Sequence, residues 1–113
     1  MDDVKMIHSI TEPTRFRILR LLFEHHYCVR ALAKKLDISE SAVSQHMRIL
    51  RECGIVHGEK MGYQVHYRIE RERLTRLFDG MAERLCAYPK GGKVTEQCTC
   101  EFMPECLCRG KRA

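Results

Sequence analysis

The stretch QCTCEFMPECLC, residues 97–108, gathers four cysteines near the end of the chain. Cys98 and Cys100 form one C-x-C pair, and Cys106 and Cys108 form a second. Thiolates are soft ligands that select As(III), Cd(II), Pb(II), Zn(II) or Cu(I) over Mg or Ca. Structural zinc sites favour C-x-x-C knuckles. The looser C-x-C spacing suits an inducible, exchangeable site. Three thiolates satisfy trigonal As(III) or Pb(II), and four satisfy tetrahedral Cd(II) or Zn(II). Dithiol–disulfide redox sensing is a second use of the same atoms, and a tail without thiol function is the third. Met103 is a lone thioether, for which apolar filling is a commoner role than Cu(I) ligation.

The chain has 113 residues and seven cysteines, an odd number. Residues 1–10 carry Asp2 and Asp3 and lack the apolar core of a secretion signal. No apolar run is long enough to span a bilayer. These features point to the cytoplasm and to no membrane partner. There, thiols stay reduced and serve metal binding or redox sensing rather than a disulfide framework. The net charge of +5, with 31% charged residues, leans towards an anionic partner. An enzyme would need a nucleophile with an oriented base in an enclosed pocket. The sequence offers no such Cys/His/acid grouping, so the chain is read as a non-enzyme with no organic cofactor.

Those thiols must be carried on a folded body. The composition shifts at YPKGGK, residues 88–93, which separates a body over residues 1–87 from a cysteine-rich flexible tail over 88–113. The length suggests one domain, whose stability gains from association. EPTRFRILRLLFE places Phe16, Leu19, Leu22 and Phe23 on one helical face, with Pro13 at the first helical position. CVRALAKKLDIS places Val29, Leu32, Ala33 and Leu36 on another, and Asp37-Ile38-Ser39 breaks it. Ser39 then caps ESAVSQHMRILREC, with Glu40 in its first turn and Gly54 at its end. Val43, Met47 and Leu50 give this helix an apolar stripe, and Glu40, Ser41, Ser44, Gln45, Arg48 and Arg51 its polar side. Two short helices with such a break make a helix-turn-helix. Val65, Tyr67 and Ile69 alternate with His66 and Arg68, and Met61-Gly62 supplies a turn, so a β-hairpin wing follows. LTRLFDGMAERLCAY sets Leu74, Leu77, Phe78, Met81 and Leu85 at helical spacing, and VKMIHSI is read as an opening helix. The fold class is therefore mainly α with a small β-hairpin, a winged helix-turn-helix.

Such a helix reads double-stranded DNA when it offers donors and acceptors to base edges in the major groove. Ser41, Ser44, Gln45 and His46 have the right chemistry and lie early in it. Arg48 and Arg51 suit phosphates, which add affinity rather than sequence choice. His46 sits beside Ile49 at the inner edge, where packing or a phosphate contact competes with base reading. Lys60, Tyr63 and Gln64 flank the wing tip, within reach of backbone or minor groove. A solvated helix face and an ordinary exposed hairpin are the plain alternatives.

In this order, TEPTRFRILRLL, LAKKLDISESAVSQHMRILRECGIV and GYQVHYRI resemble the ArsR/SmtB family of small winged-helix repressors, over residues 7–87. The family usually has Asp-Pro-Thr-Arg where this chain has Glu12-Pro13-Thr14-Arg15, and commonly Ala-Gly where it has Cys53-Gly54. The resemblance implies a homodimer built through the first and last helices, an imperfectly palindromic operator and an inducer that releases the protein from it. It also implies where metals bind. Arsenic-type members carry a C-V-C run; here Cys28 matches its first cysteine and Arg30 replaces the second. In a cadmium- and lead-sensing branch one cysteine matches Cys53, but Ile49 occupies the other position. Zinc-type sites use Asp and His of the last helix, and this one has Asp79 and Glu83 without histidine. Cys53 and Cys86 are read as packing residues, and His25 and His26 as surface loop. The tail set Cys98, Cys100, Cys106 and Cys108 is thus the expected inducer site, with Cys28 accessory. As(III) is the favoured ion, ahead of Cd(II), Pb(II) or Zn(II). An oxidant or reactive sulfur species is the alternative inducer.

Overall fold

The structure, a computed structural model, describes residues 2–87 and 100–105. Its first helix, α1 (Asp3–Ile10), starts where the Asp2 carboxylate accepts the Lys5 N–H at 2.9 Å. Helix α2 (Pro13–Glu24) starts in the same way: the Glu12 carboxylate accepts the N–H groups of Thr14 and Arg15 at 3.1 and 2.9 Å. Each carboxylate satisfies donors that have no partner within the helix. The α2 core face is Ile18, Leu19 and Leu22. Phe16 and Phe23, expected beside Leu19 and Leu22, are 50% and 39% exposed instead. Apolar side chains surround much of this helix, so its period alone does not select the buried side.

Helix α3 (Val29–Leu36) buries Leu32, Ala33 and Leu36. Asp37 ends it in the left-handed region at φ 56°, a conformation that a short polar side chain tolerates. Two residues later the Ser39 hydroxyl accepts the Ala42 N–H at 3.0 Å and starts α4 (Glu40–Glu52). Val43, Met47 and Leu50 form its fully buried stripe. Gly54, at φ 72°, closes α4: its N–H reaches the Arg51 carbonyl at 2.9 Å, and the Ile55 N–H reaches Leu50 at 3.2 Å.

Strands β2 (Val56–Met61) and β3 (Gln64–Ile69) pair antiparallel, from Val56↔Ile69 to Met61↔Gln64. The turn is therefore Gly62-Tyr63, one residue later than Met61-Gly62, with Gly62 at φ 64°. The sheet also has a third strand, β1 (Tyr27–Cys28), paired with β3, which gives the order β1-β3-β2. A strand of two residues has no period to read, so the sequence shows only the hairpin. Tyr67 is buried near the body, whereas Val65, nearer the tip, is 43% exposed. Helix α5 (Arg71–Leu85) packs on α1 and buries Leu77. Phe78 and Leu85 remain 41% and 78% exposed. Among the described residues, no helix is long and apolar enough to cross a membrane.

Candidate nucleic-acid interface and thiols

The α4 stripe fixes which side of that helix faces outwards. With Val43, Met47 and Leu50 in the core, Ser41, Ser44, Gln45, Arg48 and Arg51 are all exposed. Arg48 forms an ion pair with Glu52 at 3.3 Å, with the two side chains 76% and 55% exposed. Such an exposed pair contributes little to stability. Arg51 lies over the Tyr67 ring, 5.9 Å from its centroid, so it also braces the wing strand. At the wing tip Lys60, Tyr63 and Gln64 are exposed, Tyr63 completely.

His46 differs from its neighbours. Its Nδ1 lies 3.1 Å from Arg15 Nη1 and 3.8 Å from a Glu12 carboxylate oxygen. Burial opposes ionisation of Glu12, but the N–H groups of Arg15 and Thr14, then the Arg15 charge, keep its carboxyl below the usual range. Residues 12, 15 and 46 come from separate segments, and no sequence period joins them.

Wing and body meet through a second polar group. His57 Nε2 lies 3.0 Å from one Glu59 oxygen, and His57 Nδ1 lies 2.6 Å from Glu70, at the start of α5. The hydrogen bond to Glu59, aided by Glu70, raises the His57 pKa. In return His57, then Arg68 at 3.1 Å, lowers that of Glu59.

The thiols occupy contrasting places. Cys28, at the N-cap of α3, is half-buried and makes no side-chain cap bond. The strand register sets it beside His66, which in turn pairs with Glu59, so the three share one face of the sheet. His26 approaches His66, with 2.8 Å between their Nδ1 atoms. Finding this row requires the register of β1, which the sequence does not display. Cys53 is buried, and that burial pushes its thiol pKa up. Cys86 caps the end of α5 and is exposed in this chain, where packing was expected. Cys100 is exposed and accepts the Phe102 N–H at 3.4 Å. Cys98, Cys106 and Cys108 lie outside the described residues. Among the described residues, no three His, Cys, Asp or Glu side chains are placed to hold a metal ion.

Comparison with known proteins adds to this geometry. Residues 12–57 match the arsR family of bacterial regulatory proteins. The chain is 33% identical over 73 residues to the HTH-type transcriptional repressor SmtB of Mycobacterium tuberculosis, covering 65% of this chain and 54% of that one. It thus spans about half the length of that repressor. A solved structure of a possible transcriptional regulator for arsenical resistance is 36% identical, with a TM-score of 0.61. That match covers 73% of this chain and 93% of the other. The homodimeric winged helix-turn-helix DNA-binding domain of a Mycobacterium bovis protein also has a TM-score of 0.61, at 25% identity, covering 80% and 89%.

Proposed function

The chain belongs to the ArsR family of bacterial regulatory proteins, and on that premise we propose that it is a dimeric repressor released from operator DNA by a soft metal or metalloid. The observation that carries the DNA reading is α4. Its core stripe leaves Ser41, Ser44 and Gln45 facing out beside a wing with Lys60, Tyr63 and Gln64 at its tip. In this reading Ser41, Ser44 and Gln45 meet base edges, and Arg48 and Lys60 meet phosphates. The homodimeric M. bovis domain supports a second copy, and the exposed Phe78 and Leu85 of α5 offer that copy an apolar surface.

The inducer reading rests on donor chemistry. Cys98, Cys100, Cys106 and Cys108 supply soft thiolates close together in sequence, so little chain must be ordered to gather them. As(III) suits three of them. The tail follows α5, so ordering it acts on the helix that joins the two copies. Metal and DNA then oppose each other by the same coupling free energy in both directions. Cys28, beside His66, is an accessory ligand.

The test uses a duplex that the wild-type chain selects from random-sequence DNA. Replacing Ser44 and Gln45 together by Ala should weaken binding to it by about five- to a hundredfold, the loss of one good base contact at ~1–3 kcal/mol. Unchanged binding would exclude this face as the reader. A chain ending at Lys93 should bind the same duplex but no longer release it on adding arsenite. Release that survives truncation and vanishes in Cys28→Ser would move the inducer site to Cys28.

A further inference from the structure

The Arg15 guanidinium joins three elements. Its Nε donates to the Ser9 carbonyl near the end of α1. Its Nη1 lies 3.1 Å from Nδ1 of His46, in the middle of α4, and 3.8 Å from Glu12. The side chain is only 13% exposed, so water competes little for these donors.

Arginine has donors only. The His46 nitrogen facing Nη1 must therefore accept. Glu12 cannot reverse this assignment from 3.8 Å, beyond hydrogen-bond reach. Its two oxygens already accept the N–H groups of Thr14 and Arg15. A histidine that accepts at Nδ1 carries its proton on Nε2, the opposite edge of the ring. The His46 side chain keeps 24% of its surface exposed, on the helix that presents Ser44 and Gln45.

We propose that Arg15 is a positioning residue for DNA reading, which holds His46 in one tautomer so that Nε2–H serves as a fixed donor to an acceptor atom of the DNA. This rests on α4 being the reading helix and adds a chemical preference to it. The acceptors in reach of such a donor are the N7 or O6 of guanine, the N7 of adenine, the O4 of thymine, or a phosphate oxygen. Because the same guanidinium holds the end of α1, His46 is referenced to that helix as well as to its own.

The experiment is a double-mutant cycle on the full chain with the selected duplex. Arg15→Met and His46→Ala should each weaken binding on the order of tenfold. In the Arg15→Met background, His46→Ala should cost less than about twofold, because the two act as a unit. Fully additive losses would overturn the proposal. Replacing bases one position at a time by analogues that lack the acceptor (7-deazaguanine or 7-deazaadenine for N7, 2-aminopurine for guanine O6, 5-methyl-2-pyrimidinone for thymine O4) identifies a base acceptor where it removes the His46→Ala penalty. Replacing one phosphate at a time by a methylphosphonate identifies a phosphate acceptor where it removes the penalty instead. If neither base nor phosphate substitution changes the His46 penalty, the donor role fails.

Nitrogen-15 NMR of the histidine ring reads the tautomer directly and needs neither DNA nor a variant that folds. In the wild-type chain at neutral pH, His46 should show the Nε2-protonated tautomer. The Nδ1-protonated form would overturn the assignment. A chain that selects no DNA sequence would defeat the DNA-reading function itself, and the tautomer would still decide whether Arg15 sets the proton of His46.

Discussion

Helices α4 and α5 are close in length, 13 and 15 residues, but they complete their packing differently. Along α4, three large side chains vanish into the core of the same chain: Val43, Met47 and Leu50. Along α5 only Leu77 does so, and Phe78 and Leu85 stay exposed. Their starts differ too. The Ser39 hydroxyl caps α4, whereas Glu70 makes no side-chain cap bond at α5 and reaches His57 instead. One helix is held by its own chain, and the other is left with apolar surface to share. A reader of DNA needs the first kind of rigidity. A joint between two copies needs the second kind of incompleteness.

The largest effect expected of this contrast is at Phe78. Burying a phenylalanine stabilises by about 1.5–3 kcal/mol, and a two-fold joint gains it twice. Phe78→Glu should give a monomer at micromolar concentration in sedimentation equilibrium, with the packing around α4 little changed. A variant that stays dimeric would show that α5 is not the joint. The next effect is at the start of α4. Ser39→Ala should lower stability to chemical denaturation by about 1 kcal/mol. A loss near zero would remove the contrast between the two starts.

The smallest effect is a pH dependence of the tie between α5 and the wing. The raised His57 pKa means that its contribution is full below the ordinary value of 6.5 and is lost as pH rises through the raised one. The lowered Glu59 pKa means that its contribution is full above 4.5 and is lost as pH falls through the lowered one. The tie should therefore be strongest between those two values. His57→Gln should flatten the fall in melting temperature above pH 6.5. An equal slope in the variant would show that another group titrates there.

Features that depend on near neighbours in sequence are readable without the fold. The Ser39 cap, the Gly54 stop and the Val43–Met47–Leu50 stripe each follow from a spacing of a few residues. Features that depend on distant segments are not. Nothing in the order of residues sets Arg15 against His46, or Cys28 against His66. The outward turn of Phe16 and Phe23 is hidden for a related reason: apolar side chains cover a wide arc of α2, and its packing partners decide which part of that arc is buried.

The two-residue strand β1 has a consequence for how the protein opens. Six register pairs join β2 to β3, but only Tyr27 and Cys28 join β1 to β3. The hairpin closes through a two-residue turn. The β1 pairing must gather segments about as far apart as His26 and His66, a separation of 40 residues. Ordering a longer loop costs more chain entropy, and here few hydrogen bonds offset it. Within the sheet, the boundary between β1 and β3 is therefore a seam, with fewer pairs to undo than the hairpin. Parting it breaks the pairs Tyr27↔Tyr67 and Cys28↔His66 and leaves the six β2–β3 pairs in place.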